Sequence, residues 1–322
     1  MTRVLVIGGG GMLGQKLAQR VSTQEIFGAN AQISLFDLSF PLDSAPGKQI
    51  VGNLTTSGIA KSVAAQRPDV IFHLAAIVSG QAETDFALGW DVNLMATWTL
   101  LNTLKDEHEA SGGEYKPRLV FASSIAVFGA PFPEKISDEF LSAPLTSYGA
   151  QKAASELMIT DFSRKGYIDG VSLRLPTLCV RPGKANAAAS SFFSGIIREP
   201  LNGVEAVLPV AETVRHWHAS PRAAATFLTH AATIDTRLLN DRRALNMPGV
   251  SCTVAEQIEA LRAAAGQDAV GLIRREPDEA IERIVKNWPR DFQTDRTLEL
   301  GFEAESSFDE IIQVYLEDDF RR

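Results

Sequence analysis

The sequence predicts an α/β protein built on a doubly wound parallel sheet, with a smaller C-terminal substrate domain. Three observations lead to this prediction. Short apolar runs alternate with helical patterns in the first half of the chain, a glycine-rich turn follows the first run, and the pattern changes after Pro176. Apolar runs without polar alternation are typical of strands that helices cover on both faces. We therefore expect a Rossmann-type fold, whose ligands bind beyond the carboxyl ends of the strands.

The predicted elements divide the chain into two parts. Strands are predicted at residues 4–8, 33–37, 70–76, 118–124 and 171–175. Helices are predicted between most of them, at residues 12–24, 57–66, 85–108 and 146–165. After a loop, the later elements are strands at 205–210 and 243–249 and helices beginning at 192, 220 and 253. We expect a nucleotide-binding domain over 1–175, to which a segment about 211–249 returns, and a mainly substrate-binding domain over 176–322.

Composition and charge indicate a globular protein and argue against a nucleic-acid-binding or membrane protein. The 322 residues are 45% hydrophobic and 22% charged, as expected of a globular protein with a substantial core. The formal net charge of −8 argues against nucleic acid as a partner, because nucleic-acid-binding domains normally carry a basic face. No apolar run approaches the ~18 residues of a membrane span, so no membrane association is expected. Cys179 and Cys252 lack metal-ligand spacing and are interpreted as reduced thiols, which favours a cytoplasmic protein without a metal site.

The glycine-rich turn points to a nucleotide cofactor. Gly8, Gly11 and Gly14 lie between the first strand and the first helix, where glycine permits a tight turn and close approach of a pyrophosphate to the backbone. The second strand ends at Asp37, where a carboxylate can bind the adenosine ribose hydroxyls. A carboxylate there would repel a ribose 2′-phosphate, and no arginine follows it in DLSF. NAD is therefore preferred over NADP, although a solvated aspartate at a strand end is the simpler alternative.

Tyr148 and Lys152 carry the chemistry that the sequence suggests. They are four residues apart in a predicted helix and so share one face. A nearby ammonium lowers the pKa of a tyrosine by favouring the phenolate, which can then take a proton from an alcohol. Ser124, at the end of the strand RLVFASS, offers a hydroxyl to hold the substrate oxygen. A chance Tyr–Lys pair on a surface helix is the structural alternative.

These residues belong to a resemblance that covers nearly the whole chain. The chain resembles the extended short-chain dehydrogenase/reductase family, which includes nucleotide-sugar epimerases and dehydratases. The matching segments include GGGGMLG, FDL, GNL, HLAA, VNLMATWTLL, SSIAVFG, SYGAQK, LRLP and RHWHAS. The resemblance implies an enzyme with catalytic residues Ser124, Tyr148 and Lys152, and a homodimer formed through the helical stretches 90–108 and 146–165. It implies that NAD is bound by Gly8, Gly11, Met12, Leu13, Asp37, Asn53, Leu54, Ala75, Asn93, Tyr148 and Lys152.

The chain departs from the family pattern at several positions. The family usually has an aspartate where Asn53 stands, and an asparagine can still meet the adenine through its carbonyl. Phe128 replaces a familiar tyrosine and so removes one hydroxyl. Residues 176–218 differ most from the nucleotide-sugar members. They resemble the NAD-dependent branch that oxidises C2 of four-carbon sugar acids such as D-erythronate. This resemblance implies a substrate site of Ser79, Ser124, Tyr148, Thr177 and Arg215.

Arg215 and the neighbouring histidines have structural alternatives. Arg215 is a candidate for the substrate carboxylate, but it is also suited to an ion pair with an acid such as Glu212. His216 and His218 are interpreted either as part of the pocket wall or as hydrogen-bonded core residues, without a third metal ligand.

Three functions compete at this point. A dehydrogenase of small sugar acids is favoured over a nucleotide-sugar epimerase, which would use the same Tyr148 to oxidise the sugar transiently. A regulatory protein that binds NAD without turnover is disfavoured by the intact set of Ser124, Tyr148 and Lys152. The catalytic residues alone do not separate dehydrogenase from epimerase.

Overall fold

The computed structural model describes residues 1–183 and 189–320, so part of the loop predicted after Pro176 lies outside the described residues. The strands are β1 (Arg3–Ile7), β2 (Gln32–Asp37), β3 (Lys48–Val51), β4 (Val70–His73), β5 (Arg118–Ser124), β6 (Asp169–Leu175), β7 (Thr177–Leu178), β8 (Ala206–Leu208), β9 (Arg215–Ala219), β10 (Ala244–Asn246), β11 (Val250–Thr253) and β12 (Ile273–Arg275). The helices are α1 (Met12–Thr23), α2 (Ile59–Ala64), α3 (Ser79–Thr84), α4 (Phe86–Trp90), α5 (Ala96–Ala110), α6 (Ser147–Arg164), α7 (Ser191–Leu201), α8 (Pro221–Thr233), α9 (Val254–Val270), α10 (Glu279–Val285), α11 (Asp295–Glu299) and α12 (Phe308–Asp318).

The main sheet has seven parallel strands in the order β10-β6-β5-β4-β1-β2-β3. The chain reverses its direction of travel across the sheet between β1 and β4, and a crevice opens there beyond the carboxyl ends of the strands. The prediction of a doubly wound Rossmann-type sheet is confirmed.

Alternate side chains of β1 enter two different apolar layers. Val4 and Val6 pack in a cluster that includes residues of α1 and α8, whereas Leu5 and Ile7 pack against residues of α2 and α5 on the other face. All four residues are buried. A strand buried on both faces has no polar alternation, which is why the pattern of β1 reads as a continuous apolar run.

The structure differs from the predicted elements at several places, and the short strands β7, β9, β11 and β12 of the later part of the chain were not predicted. The helix expected over 85–108 is divided into α4, a π-helical turn (Asp91–Met95) and α5. β3 was not predicted, because this edge strand is largely exposed and lacks an apolar run. α3 was not predicted either; it fills the connection between β4 and α4.

The later part of the chain contributes to both halves of the molecule. β10 pairs with β6 in the main sheet, and α8 packs against α1. β9 instead lies between β7 and β11 in a three-stranded sheet, and β8 pairs with β12. A second apolar cluster outside the main sheet, which includes residues of α7, α9 and α12, packs beside the three-stranded sheet.

None of the helices in residues 1–183 and 189–320 is long and apolar enough to cross a membrane.

Candidate active site

At Gly8 and Gly14, the glycine-rich segment after β1 has no room for a side chain. Gly8 has a φ of +90°, and a Cβ built on it would lie 2.7 Å from the amide nitrogen of Ala75. A Cβ on Gly14 would lie 2.2 Å from the carbonyl oxygen of Gly8, so glycine is required for α1 to approach β1 this closely. Gly11 precedes α1 with no side chain capping the helix, which leaves the first N–H groups of α1 available to an anion. This cradle fits a cofactor pyrophosphate.

Asp37 closes the cradle at the end of β2. Its Oδ2 accepts a hydrogen bond from the backbone N–H of Gly10 at 2.8 Å, and its Oδ1 accepts one from Leu38 at 2.7 Å. These bonds fix the carboxylate beside the glycine turn, and the remaining lone pairs can accept hydrogen bonds from ribose hydroxyls. The placement fits the nucleoside end of NAD.

The remaining cofactor residues predicted from the sequence are Asn53, Leu54, Ala75 and Asn93. The side-chain Oδ1 of Asn53 accepts hydrogen bonds from the N–H and the hydroxyl of Thr55, at 3.0 and 2.8 Å. The group that we expected to meet the adenine is therefore already engaged, and the amide Nδ2 is the group left for such a contact. Leu54 is buried, and Ala75 lies against Gly8.

Asn93 lies in the π-helical turn and supports the neighbouring loop. Its Oδ1 accepts a hydrogen bond from the N–H of Ile77 at 2.9 Å, and its Nδ2 donates to the Ile77 carbonyl and to Gln151. Because both polar atoms are used, Asn93 shapes the loop after β4 rather than presenting a free side chain. Single π-helical turns are frequent at functional sites.

Ser124, Tyr148 and Lys152 come together where β5 ends and α6 begins. Thr146 caps α6 by accepting a hydrogen bond from Gly149 at 3.1 Å, which fixes the first turn that carries Tyr148. Lys152 Nζ lies 5.6 Å from the centre of the Tyr148 ring and donates to the carbonyl oxygen of Ala122 at 2.8 Å. The three predicted catalytic residues therefore share one site.

Burial dominates the acidities of this pair. It raises the pKa of Tyr148 to about 12, and a hydrogen bond with Ser124 opposes the rise. Burial also lowers the pKa of Lys152 to about 7, against the attraction of Glu156. This direction for Tyr148 is opposite to the one we expected from the ammonium of Lys152. The physical reason is that the phenol is desolvated while the ammonium bonds a backbone carbonyl.

A cavity of about 510 Å³ opens at Tyr148. Several of the site residues predicted from the sequence line it, namely Met12, Leu13, Ser79, Ser124, Tyr148 and Thr177. Its opposite wall comes from the segment after α10, including Trp288 and Pro289. The cavity therefore joins the cofactor cradle to a pocket that the C-terminal part of the chain covers.

Arg215 lies outside this cavity. Its guanidinium donates to the carbonyl oxygen of Ser251 at 2.9 Å and pairs with Glu256 at 3.2 Å, and the side chain lines a separate pocket. Glu212, the partner suggested by the sequence, pairs with Arg275 instead. The structure therefore does not bring Arg215 together with Ser124, Tyr148 and Thr177.

Arg181, rather than Arg215, is the arginine that lines the cavity at Tyr148. It is the single arginine or lysine among the described residues that line the cavity. Burial lowers its pKa, with Arg198 as a further cause, and its guanidinium makes a 3.5 Å hydrogen bond to Ser190. The signal in the sequence was an arginine directly after the apolar run TLCV, at the loop beyond a sheet strand.

The two histidines of β9 are both buried. His216 lines the cavity and contacts Thr177, whereas His218 contacts Gln257 away from it. Burial lowers the pKa of His216 to about 4 and lowers that of His218 well below its usual value. Both rings are therefore neutral at physiological pH.

Comparison with known proteins agrees with this geometry. Residues 4–205 match the NAD dependent epimerase/dehydratase family. A D-erythronate dehydrogenase of Cupriavidus necator is 43% identical over 323 residues, which span 98% of each chain. A D-erythronate dehydrogenase of Haemophilus influenzae is 39% identical over 320 residues, which span 98% of this chain and 99% of that protein.

Two solved structures show the same architecture. The nucleoside-diphosphate-sugar epimerase from Agrobacterium tumefaciens has 53% sequence identity and a TM-score of 0.94, and the match covers 98% of this chain and 94% of that one. An L-threonine dehydrogenase from Clostridium difficile, at 20% identity, a TM-score of 0.84 and coverage of 98% and 97%, shows the shared fold. With its glycine cradle and its Tyr–Lys pair, the chain belongs to the NAD dependent epimerase/dehydratase family and is an NAD-dependent dehydrogenase of the extended short-chain dehydrogenase/reductase type.

Proposed function

We propose that the enzyme oxidises the C2 hydroxyl of a small sugar acid, D-erythronate or a near relative, to the 2-oxo acid. The observation that carries this proposal is the lining of the cavity at Tyr148, where several hydroxyl side chains accompany Arg181, the one arginine or lysine among the described lining residues. A compact polyhydroxy acid needs one cation for its carboxylate and several partners for its hydroxyls. The two D-erythronate dehydrogenases that match nearly the full length support the same substrate class.

Tyr148 is the proposed base of the reaction. Ser124 holds the substrate oxygen, and its own Oγ is oriented by accepting a hydrogen bond from the N–H of Ala126 at 3.1 Å. A proton then moves from the substrate hydroxyl to the phenolate of Tyr148. NAD, when bound, supplies the hydride acceptor and, in its oxidised form, a positive ring charge that favours the phenolate. Lys152 acts as the cationic partner of Tyr148 and as a ligand of the nicotinamide ribose.

The cofactor residues proposed from the sequence retain their assignments. The described cradle supports Gly8, Gly11, Met12 and Leu13 as the pyrophosphate side and Asp37 as the ribose ligand. The residues that complete the site are Asn53, Leu54, Ala75, Tyr148 and Lys152, and Asn93 contributes by shaping the loop after β4.

Arg181 is the proposed ligand of the substrate carboxylate, in place of Arg215. Arg215 is occupied by Ser251 and Glu256 outside the cavity, whereas Arg181 lines the cavity that contains Thr177. A carboxylate partner would also offset the cost of burying the guanidinium. Ser79 and Thr177 remain the proposed partners of the substrate hydroxyls.

A nucleotide-sugar epimerase is the second candidate, and the 53% identical Agrobacterium structure, an epimerase by name, favours it. A nucleotide sugar brings two phosphates to the pocket, and such groups normally meet several cations or backbone N–H groups. The described lining of the cavity contains one cation, which suits a monoanionic acid better.

A substrate screen separates the two candidates. Purified enzyme with NAD is incubated with the four-carbon sugar acids and, separately, with nucleotide sugars, and NADH is followed by absorbance. Net NADH from D-erythronate or a stereoisomer supports the dehydrogenase. Interconversion of nucleotide sugars without net NADH would instead establish the epimerase. Arg181→Met is expected to raise KM for the acid, while Arg215→Met leaves KM near the wild-type value.

We further propose that the chain divides between a cofactor side and a substrate side. Residues 1–175 form the NAD-binding domain, a segment about 211–249 returns to it, and 176–322 mainly bind substrate. The position of α8 and β10 on the main sheet supports the return, and the second apolar cluster supports the separate substrate side.

We also propose that the protein is a homodimer in the cytoplasm. The support for the dimer is an apolar surface, consisting of Met95 at the end of the π-helical turn, Trp98 of α5 and Leu157 of α6, which are 49%, 43% and 73% exposed. Trp98 contacts Phe162 of α6 with ring centres 5.9 Å apart, so the two helices pack against each other at Trp98. The free thiols of Cys179 and Cys252 suit a reducing compartment.

A further inference from the structure

His216 and Thr177 form a hydrogen-bonded pair in the wall of the cavity. β7 and β9 are adjacent strands, so Thr177 and His216 lie close together although they are far apart in the sequence. His216 Nε2 lies 2.7 Å from Thr177 Oγ1, and His216 Nδ1 lies 2.8 Å from the carbonyl oxygen of Pro289. Both distances are those of good hydrogen bonds.

The Pro289 contact determines which nitrogen of His216 carries the proton. A carbonyl oxygen only accepts hydrogen bonds, so Nδ1 must be the protonated nitrogen. The ring is buried and neutral, which leaves Nε2 with a lone pair and no proton. The Thr177 hydroxyl must therefore donate its proton to Nε2.

The ring of His216 has little freedom to turn away from this arrangement. It stacks on Phe193 with an interplanar angle of 3° and a centre-to-centre distance of 5.1 Å, and the ring centre of Trp288 lies 5.2 Å away. Flipping the ring would break the bonds to Thr177 and Pro289 together. The donor direction of Thr177 is thus fixed before any substrate enters.

A threonine hydroxyl has one proton and two lone pairs. Because its proton is used by His216, Thr177 can only accept a hydrogen bond from a molecule in the cavity. We propose, building on the sugar-acid function above, that His216 is a positioning residue that makes Thr177 an obligate acceptor and so selects a substrate hydroxyl at that point. The hydroxyl is that of C3 or C4, because the C2 oxygen is held at Ser124 and Tyr148.

This selection also orients the substrate. A carboxylate has no proton to donate at neutral pH, so it gains nothing at Thr177 and is repelled by the two lone pairs. Arg181 lines the same cavity and offers the donors that a carboxylate needs. The acid therefore enters with its carboxylate toward Arg181 and its hydroxyl-bearing tail toward Thr177.

The first test measures the coupling between His216 and the substrate hydroxyl. In His216→Asn the side-chain amide can replace Nδ1 toward Pro289 but does not reach Thr177. We expect kcat/KM for D-erythronate to fall up to about tenfold, because the Thr177 hydroxyl is free to rotate and its lone pairs are no longer held toward the substrate hydroxyl, and kcat/KM for either its 3-deoxy or its 4-deoxy analogue to be unchanged. In a Thr177→Val background, His216→Asn should not change the ratio of kcat/KM for D-erythronate to kcat/KM for the deoxy analogue any further. An equal fall on D-erythronate and both analogues would overturn the proposal.

His218→Asn is the matched control. It alters an equally buried ring of the same strand that contacts Gln257 rather than the cavity. The preference for D-erythronate over the deoxy analogues should stay at the wild-type value, whatever the change in stability. The same loss of preference in His218→Asn as in His216→Asn would show a structural effect and refute the positioning role.

The second test reads the proton position directly and does not depend on activity. Ring nitrogens of histidine labelled with nitrogen-15 give separate NMR signals for protonated and unprotonated nitrogens, and His216→Asn assigns the signals of His216. We expect an unprotonated Nε2 whose signal shifts in Thr177→Val. A protonated Nε2 would overturn the proposal. If the wild-type enzyme oxidises no four-carbon sugar acid, the proposed function fails, and this measurement alone decides the acceptor assignment of Thr177.

Discussion

At the residue scale, Tyr148 and Lys152 are two buried groups whose pKa values are shifted in opposite directions. Burial raises the pKa of Tyr148 to about 12 and lowers that of Lys152 to about 7, because each group is held in its uncharged form by the loss of solvent. The reaction needs the opposite charge states, a phenolate beside an ammonium. The phenolate of Tyr148 thus depends on the positive ring of bound NAD and on the hydrogen bond with Ser124, and the attraction of Glu156 favours the ammonium of Lys152.

Tyr148→Phe is expected to retain NAD affinity and lose turnover. The change removes the proposed base while keeping the ring, and general base catalysis contributes ~10²–10⁴-fold. Steady-state kinetics with the substrate found in the screen, together with fluorescence titration of NAD, measure both quantities. Tyr115→Phe is the control, since its hydroxyl donates to the carbonyl oxygen of Pro68 away from the cavity. Full activity in Tyr148→Phe would eliminate the base role.

The stability of the folded protein should report the depressed pKa of Lys152. Between pH about 7 and the usual value of 10.5, the unfolded chain keeps this lysine protonated while the folded chain does not. The unfolded state then binds more protons, so the contribution of Lys152 to the free energy of unfolding rises with pH in that window. Compared with Lys152→Met, the wild type should gain stability from pH 7 to pH 9.

Urea unfolding at both pH values measures this gain. Lys165→Met removes an exposed lysine after α6 and serves as the control, which should follow the wild-type pH dependence. Parallel pH profiles for the wild type and Lys152→Met would contradict the depressed pKa.

At the scale of elements, β1, the turn and α1 contain glycines that are needed for two different reasons. Gly14 sits where a Cβ would lie 2.2 Å from the carbonyl oxygen of Gly8, so its role is to let helix and strand pack. At Gly11 a Cβ would lie 3.5 Å from the same oxygen, and its φ of −75° suits any residue. The protein itself therefore tolerates a side chain at Gly11, whereas an approaching pyrophosphate does not.

Alanine substitutions distinguish these two roles. Gly14→Ala should lower the free energy of unfolding by ~1–3 kcal/mol, the usual cost of overpacking. Gly11→Ala should unfold like the wild type but bind NAD at least about tenfold more weakly, because the new methyl group faces the cofactor. Chemical denaturation and calorimetric titration of NAD measure the two effects. Equal NAD affinity in Gly11→Ala and the wild type would remove Gly11 from the cofactor site.

At the scale of the whole molecule, the apolar surface on α5 and α6 predicts assembly. Exposed apolar patches of this kind mark interaction sites in soluble proteins, and Trp98 and Leu157 lie on neighbouring helices. A second copy of the chain, related by a twofold axis, would cover the surface with the same residues. The dimer would then place each cavity on its own subunit.

Leu157→Glu should convert the dimer into a monomer. A carboxylate at the centre of an apolar contact is desolvated without a partner, which costs more than the contact contributes. Light scattering coupled to size-exclusion chromatography gives the mass of each variant. Leu298→Glu, at an exposed leucine of α11, is the control and should keep the wild-type mass. A monomeric wild type, or an unchanged mass in Leu157→Glu, would remove this surface as the interface.

Patterns within short stretches of sequence determined much of this protein. The buried runs of the sheet, the spacing of the glycine turn and the four-residue spacing of Tyr148 and Lys152 are local properties, because strand and helix geometry fixes which neighbours share a face. The edge strand β3 escaped prediction since its residues are mostly exposed and carry no apolar pattern. The division of 85–108 escaped because a π-helical turn keeps nearly helical periodicity.

The tertiary structure alone decided what lines the cavity. Arg181, in the loop after β7, lines the cavity together with Thr177, whereas Arg215 of β9 lines a separate pocket. The carbonyl of Pro289, more than seventy residues away in sequence, sets the proton on His216 and hence the direction of the Thr177 hydroxyl. Substrate selection depends on such contacts between distant segments, and no local pattern encodes them, whereas the catalytic pair lies on a single helix and was readable from its spacing.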